Sequence, residues 1–417
     1  MKIKYMGFWL FCGQLWLSSP LQADVTTALA LSAQASQADA VTTQDDFADL
    51  AALGQAIGDK KIVMLDELTH GEGNVFALKS RIVRYLHQHK GFDVLVMESG
   101  LFDAAQIWQS QQDIAQQAPG NLFYMYARSQ QMQPLWQYVH QQRKSARPLI
   151  LAGFDSRHSG GLSQQQLVPT FRQYLAKRNL AADYEAYLQQ LQLLLNGKLA
   201  GLSSQQQQQF LQQSQKLEQQ LIDQQGDDAG FWRRINASLK QMALVNWEKL
   251  RFDQHDLAMA DNLVWLFNEK YAGRKLIVWG HFVHVNRLGG FAFSPTGAKM
   301  SVPQFHPVPN MTSSLPVEMR DQSYIVHFSA AKGRYTDYVT QQEVEFNSDN
   351  TMLEQELAQT AEGHVFTSMA QPHARQHLKL WSVDYKNTMT WAQAQQRYDG
   401  LLVLPTVTPS VMIESVK

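Results

Sequence analysis

Six short apolar runs are spaced along the chain, and most of them are continuous rather than alternating between apolar and polar residues. Strands that are covered on both faces have this pattern, because neither face meets water. The runs therefore predict an α/β fold in which a mostly parallel central sheet is flanked by helices. The predicted strands span residues 61–68, 92–99, 147–156, 274–281, 323–330 and 400–405.

Helical spacing appears between these runs. Apolar residues three or four positions apart predict a helix over residues 74–89, directly after the first strand. The same spacing continues through a Gln- and Leu-rich stretch, about 160–266, that carries no strand signal. We expect this stretch to form a helical insertion, a lobe that forms a cleft over the carboxyl ends of the strands. No linker composition separates it from the sheet, so residues 24–417 are predicted to form one domain.

The first 23 residues have the composition of a secretory signal peptide. Lys2 and Lys4 form a basic start, an apolar core follows, and small residues lead to a cleavage site after Ala23. We therefore expect a periplasmic or secreted protein from which residues 1–23 are removed. The one cysteine of the chain, Cys12, lies in this segment, so the mature protein is expected to contain no disulfide and no cysteine metal ligand.

Charge limits the expected partners. Loss of Lys2 and Lys4 with the signal peptide changes the formal net charge from −1 to −3. A weakly acidic chain is not expected to bind nucleic acid or an anionic membrane surface. No later stretch is long and apolar enough to span a membrane. The expected partner is a small molecule.

Ionisable residues follow four of the predicted strands. In open α/β sheets the ligand lies outside the carboxyl ends of the strands, and parallel strands end at the same edge. We therefore expect these groups to share one cleft. In chain order, the four strands are followed by Asp66, Glu67 and His70; by Glu98; by Asp155, Arg157 and His158; and by His281 and His284.

Histidines beside carboxylates support two kinds of chemistry. A carboxylate fixes the tautomer of an imidazole, which can then take a proton from water, while a second histidine stabilises an oxyanion or protonates a leaving group. The same groups would also form a nitrogen–oxygen site for Zn²⁺ or Mn²⁺ in a metal-dependent hydrolase. Spacing alone does not decide between them. The ligands in the metal alternative are Glu67, His70, Glu98, His281 and His284.

Motifs of other enzyme classes are missing from the sequence. It contains no G-x-S-x-G elbow, no Walker loop, no G-x-G-x-x-G after a strand and no H-E-x-x-H. An alternative from another class is a periplasmic binding protein for haem or another ligand, in which the histidines are ligands and no bond is cleaved. Asp66, Asp155 and Arg81 are expected to contact the substrate rather than to act on it.

Three segments resemble the erythromycin esterase family. "LDELTHGEGNVFALKSRIVRYLHQHKGFDVLVMES" resembles its opening turn, helix and second strand ending in Glu. "LAMADNLVWLFNEKYAGRKLIVWGHFVHVNR" is similar to its M-A-x-N helix and W-x-H-N-x-H-V strand end, and "YDGLLVLPTVTPS" to its closing strand. Asp66 stands where the family usually has Gly, and Phe282 where Asn is common; both differences bear on the substrate.

The resemblance implies an α/β fold with a helical lobe and an esterase mechanism without a metal, as in the macrolide-cleaving members. By position, His70 matches the proposed general base, Glu67 and Glu98 match the active-site glutamates, and His281 and His284 match the later histidines. We therefore expect a carboxylic ester hydrolase that needs no cofactor and acts on an ester or lactone. A macrolide lactone, and with it antibiotic resistance, is one candidate.

Overall fold

The computed structural model describes residues 29–32, 45–222, 227–249, 255–289, 309–360, 363–373 and 377–413. The predicted signal peptide, residues 1–23, lies outside them. Within the described part of the chain, every helix is too short or too polar to cross a membrane.

The central sheet has nine strands, and the six predicted strands are its parallel part. The order is β1-β8-β11-β6-β2-β5-β3-β4, with β7 paired to β6. The strands from β11 to β4 in this order run parallel, whereas β1, β8 and β7 pair antiparallel. The predicted fold class is therefore confirmed. The strands are β1 Leu29–Ser32, β2 Ile62–Leu65, β3 Phe92–Gly100, β4 Ile150–Asp155, β5 Lys275–Trp279, β6 Ser323–Thr336, β7 Glu343–Asn347, β8 Gly363–Ser368 and β11 Gly400–Val407, and a separate two-stranded sheet pairs β9 Lys379–Ser382 with β10 Asn387–Thr390.

Helices cover both faces of the sheet. Alternate residues of one strand point to opposite faces, so Ile62 and Met64 of β2 enter one apolar core while Val63 and Leu65 enter the other. The helices are α1 Ala51–Ile57, α2 Gly73–Lys90, α3 Leu101–Gln109, α4 Ile114–Gln117, α5 Tyr124–Ala127, α6 Gln133–Gln142, α7 Val168–Ala176, α8 Glu185–Leu195, α9 Ser204–Ile222, α10 Asp227–Asn246, α11 His255–Trp265, α12 Val317–Asp321, α13 Leu353–Thr360, α14 Val383–Lys386 and α15 Trp391–Gln395.

The stretch between β4 and β5 contains helices α7 to α11, with turns of π-helix at Ser163–Leu167 and Leu266–Lys270. Its large side chains, among them Phe171 and Trp232 with stacked rings 4.6 Å apart, extend the apolar core on one face of the sheet. These helices bring α11 against the end of β4, and this contact places the first residues of α11 near the carboxyl ends of the strands.

The middle strands of the sheet end side by side. Leu65 of β2 pairs with Trp279 of β5, and Trp279 in turn pairs with Met97 of β3. Glu67 and Glu98 follow their strands at the same edge because the strands are parallel and their ends are in register. The register thus brings together groups that lie more than 200 residues apart in the sequence, such as Glu67 and Trp279.

Candidate active site

His70 and Glu67 form a hydrogen-bonded pair in the loop after β2. Nδ1 of His70 lies 2.9 Å from Oε1 of Glu67, and since a carboxylate only accepts, Nδ1 carries the hydrogen. The hydroxyl of Tyr126 donates to the same oxygen at 2.6 Å. In the neutral imidazole this tautomer leaves the lone pair on Nε2, which is the atom able to accept a proton.

Glu67 is fully buried and has a cation of its own. Nζ of Lys79 lies 2.6 Å from Oε2 of Glu67, and the indole of Trp279 donates to the same oxygen at 3.0 Å. Burial raises the pKa of Glu67, but Lys79 and His70 lower it by more, so the pKa lies below its ordinary value. Glu67 is therefore an ionised and fully hydrogen-bonded support for His70.

Glu98 connects the other groups of the site. Its Oε2 accepts a hydrogen bond of 2.7 Å from the backbone N–H of His281. Its Oε1 lies 3.4 Å from Nε2 of His284, 3.8 Å from the Arg157 guanidinium and 3.9 Å from Nε2 of His70. Burial raises the pKa of Glu98, but His284 and His70 outweigh it and hold the pKa well below its usual range.

The two histidines after β5 differ in charge. Burial lowers the pKa of His281 to about 3, so this ring is neutral. Its Nε2 donates to the carbonyl of Leu68 at 3.1 Å, and its ring centroid lies 4.5 Å from that of His70. Burial also lowers the pKa of His284, but Asp256 and Glu98 raise it by more, to about 10. One neutral and one protonated histidine therefore flank Glu98 at neutral pH.

Aromatic rings surround the imidazole of His70. The ring centroids of Phe123 and Tyr338 lie 4.7 Å and 4.9 Å from it, and both rings meet it edge-on. Tyr338 comes from the turn between β6 and β7 and is 41% exposed, whereas His70 is 6% exposed. His70 thus lies beneath a partly exposed aromatic wall.

Asp155 is expected to contact the substrate, but in the structure it holds a cation. Both of its oxygens accept hydrogen bonds from Arg157, at 2.9 and 3.1 Å to Nε, and its side chain is 8% exposed against 37% for the arginine. The guanidinium is therefore the group of this pair that a substrate can reach. His158, the next residue, is buried, and burial lowers its pKa to about 4.

Two residues that were expected to contact the substrate make contacts within the protein. Asp66 is fully buried, where it accepts hydrogen bonds from Nδ1 of His327 at 2.6 Å and from the N–H of Phe328 at 2.7 Å. Arg81 pairs with Asp45 and Asp49 at 2.6 Å. Asp66 is thus held by β6, and Arg81 by the segment before α1.

Four side chains that contact Glu67 or His284 were not predicted from the sequence pattern: Lys79, Tyr126, Asp256 and Trp279. The burial of Lys79 could have been predicted from the sequence, because Lys79 lies four positions after Val75, on the same face as the apolar stripe of its helix. A lysine on a buried face requires an opposite charge nearby. Asp256 precedes the M-A-x-N segment at the start of α11, and this position indicated its role in the site only weakly.

A compact group of side chains with donor atoms suited to a metal ion lies beside Glu98. The ligand atoms of His255, Asp256 and His284 all lie within 4.8 Å of one another, and the three side chains are buried. In the ranges that the structure describes, no other trio of His, Cys, Asp or Glu converges in this way. The group shares His284 with the set predicted for the metal alternative and adds two residues from α11.

Comparisons with known proteins agree with this architecture. The model of the family described as erythromycin esterase matches residues 87–407, a range that includes Glu98, Asp256 and both later histidines but begins after His70. A Bacillus subtilis protein, YbfO, whose name assigns it provisionally to the hydrolases, is 24% identical over 407 residues, 88% of each chain.

Solved structures share the fold at low sequence identity. A succinoglycan biosynthesis protein superposes with a TM-score of 0.72 at 14% identity, covering 93% of this chain and 96% of its own. A Bacillus cereus protein gives 0.70 at 18% identity, with 93% and 97% covered. A mutant of the erythromycin esterase EreC in an open conformation gives 0.66 at 14% identity, with 89% and 97% covered.

Proposed function

The chain belongs to the erythromycin esterase family, and from this premise we propose that it hydrolyses esters or lactones with a water molecule activated by His70. The family and the Bacillus subtilis relative support a hydrolase. The observation that carries the proposal is the hydrogen bond of 2.9 Å from His70 Nδ1 to Glu67. This bond fixes one tautomer and leaves Nε2 as the proton acceptor.

The attacking water lies between His70 and Glu98, whose Nε2 and Oε1 atoms are 3.9 Å apart. The water oxygen bonds to the carbonyl carbon while its proton moves to Nε2, and Glu67 stabilises the imidazolium that forms. When the tetrahedral intermediate collapses, the bond from carbon to the leaving oxygen breaks and His70 returns the proton to that oxygen. The products are an acid and an alcohol, or one hydroxy acid from a lactone.

Arg157 is the group that we assign to the carbonyl oxygen as it becomes negative. Asp155 orients the guanidinium through two hydrogen bonds, and Nη2 of the arginine lies 3.8 Å from Oε1 of Glu98. A fixed cation costs no reorganisation when charge develops on the substrate. Because base, orienting carboxylate and cation are all side chains, the proposed reaction uses no metal and no organic cofactor.

The aromatic wall over His70 favours substrates with an apolar face. The rings of Phe123 and Tyr338 meet the imidazole edge-on, and both offer large apolar surfaces beside it. A macrolide lactone, the class of compound in the name of the family and of EreC, combines such a surface with an ester bond. Simpler apolar esters fit the same description.

We also propose that the protein is exported to the periplasm or secreted. The support is the basic and apolar composition of residues 1–23. The first described strand, β1, begins at Leu29. Cleavage after Ala23 therefore leaves all described strands intact.

Product analysis in labelled water tests the proposed reaction. The purified protein is incubated with p-nitrophenyl esters, small lactones and erythromycin in H₂¹⁸O containing hydroxylamine. Direct attack by water puts the label in the carboxylate, none in the alcohol, and forms no hydroxamate. Hydroxamate in excess of that formed without enzyme would reveal an acyl-enzyme and overturn the proposed role of His70. No turnover of any compound would overturn ester hydrolysis.

A further inference from the structure

We propose that His255, Asp256 and His284 form a binding site for a divalent transition-metal ion, with Zn²⁺ as the favoured occupant. Two imidazoles and one carboxylate are the donor types that Zn²⁺ prefers in proteins without cysteine ligands. The site goes beyond the proposed reaction, which uses His70 and Glu67 and needs no metal. It also differs from the metal alternative indicated by the sequence, because two of its three ligands come from α11.

The spacing of the donor atoms suits a small ion. Nδ1 of His284 lies 2.9 Å from each oxygen of Asp256, and Nε2 of His255 lies 3.5 Å from Oδ1. In a tetrahedral zinc site with bonds of about 2.0–2.1 Å, neighbouring ligand atoms are roughly 3.3 Å apart. The two separations that involve Asp256 are close to this value, and all three donor atoms lie within 4.8 Å of one another, so the side chains need to close together around an ion.

Hydrogen bonds with the backbone hold the carboxylate of Asp256 and the segment that carries His284. The N–H of Met311 donates to Oδ2 of Asp256 at 2.9 Å, and the N–H of His284 donates to the carbonyl of His281 at 3.0 Å. The N–H of Thr312 donates to the carbonyl of His284 at 3.2 Å. A site whose ligands are already ordered loses little conformational entropy when an ion binds.

The charges around the group favour a cation. Asp256 supplies one negative charge, and Glu98 adds a second one 3.4 Å from the other ring nitrogen of His284. The nearby positive charge of Arg157 is offset by Asp155, 2.7 Å away. A bound metal takes the place of the proton that His284 now donates to Asp256.

Occupancy of the site has a consequence for the proposed reaction. The metal binds Nδ1 of His284, the atom that faces Asp256. Its positive charge changes the electrostatic potential at Glu98 and at the water beside His70. We expect Zn²⁺ to slow ester hydrolysis reversibly; this part rests on the proposed function, whereas metal binding does not.

Metal binding is measured directly, with the full mature chain and its variants. Isothermal titration with Zn²⁺ gives the stoichiometry, and the visible absorption of Co²⁺ in the same site reports its coordination geometry. We expect one ion per chain in the parent protein and in His70→Gln. We expect affinity to fall by more than about 100-fold in His255→Gln and in Asp256→Asn, since each removes a ligand. His89→Gln, an exposed histidine on α2, is the control for surface binding.

The variants separate the possible outcomes. Equal affinity in His255→Gln and the parent, or no ion bound by the parent, would overturn the site. Loss of binding in His70→Gln but not in His255→Gln would place the metal on the ligand set that the sequence predicted, which includes His70. If the preparation hydrolyses esters, His255→Gln should require a higher Zn²⁺ concentration for half inhibition than the parent protein. This comparison holds at any level of activity that the variant has without zinc.

Discussion

Lys79 and Glu67 form a buried ion pair in which Nζ lies 2.6 Å from Oε2 and neither side chain is exposed to solvent. Burial lowers the pKa of Lys79 and raises that of Glu67, and each charge is retained because the other is present. Glu67 in turn accepts the hydrogen bond that fixes His70. The pair therefore links the packing of α2 to the geometry of the base.

Removal of the lysine should destabilise the fold. Lys79→Met leaves the carboxylate of Glu67 buried without its cation, and loss of one partner of such a pair costs about 3–5 kcal/mol. Denaturant unfolding measures the effect, with the exposed Lys177→Met as a control. The double variant Glu67→Gln/Lys79→Met should be more stable than Lys79→Met alone. A loss below about 1 kcal/mol would mean that the pair behaves like a surface ion pair.

Glu98→Gln should lower activity while its hydrogen bond from the N–H of His281 is kept. The amide oxygen can still accept that bond, but the neutral group no longer positions water beside His70 with a negative charge. We expect kcat/KM to fall by about 100-fold or more. Asp93→Asn is the matched control, since Asp93 lies on the same strand and pairs with Arg147 outside the site. Equal losses in both variants would contradict a special role for Glu98.

The fold should lose stability in acid through His158. Its pKa is about 4 in the folded protein against 6.5 for an ordinary histidine. Between these values the unfolded chain binds a proton that the folded chain does not, so stability is full above pH 6.5 and falls as the pH drops towards 4. Lowering the pH from 7.5 to 5 should therefore cost His158→Leu about 2 kcal/mol less than it costs the parent protein. Denaturant unfolding at both pH values measures this. An equal loss of stability in His158→Leu and in the parent protein would contradict the assignment of the acid sensitivity to His158.

The mature protein should begin at Asp24. The composition of residues 1–23 predicts export and cleavage after Ala23, and the first described strand begins downstream, at Leu29. Sequencing the amino terminus of protein recovered from the periplasm or the medium measures this. A mature chain that retains Cys12 would show that the segment is not a cleaved signal.

The parallel strands could be predicted because burial on both faces leaves a continuous apolar run, as in Ile62–Leu65, where every residue is buried. The antiparallel strands gave no such signal. Glu343–Asn347, for example, pairs with β6 at the surface and has one buried residue among its five. Edge strands of this kind depend on their partner strand, which the local sequence does not specify.

The strand ends also predicted the centre of the site, but not its supports. Glu67, His70, Glu98 and His284 come together because parallel strands in register deliver them to one edge. Asp256 reaches His284 from a helix 28 positions earlier in the chain, and this contact depends on how the helices between β4 and β5 pack. The ion pairs of Arg81 with Asp45 and Asp49 likewise depend on how the segment before α1 packs, which the local sequence does not specify.

The most direct test of the account is the ester hydrolysis rate of His70→Gln in the presence of a chelator. The glutamine amide can donate to Glu67 in place of Nδ1 but cannot accept a proton at neutral pH. We predict that kcat/KM falls by about 10²–10⁴-fold, with the unfolding midpoint close to that of the parent, while chelation does not lower the parent's activity. Full activity in a folded His70→Gln variant would contradict the role of His70 as the base.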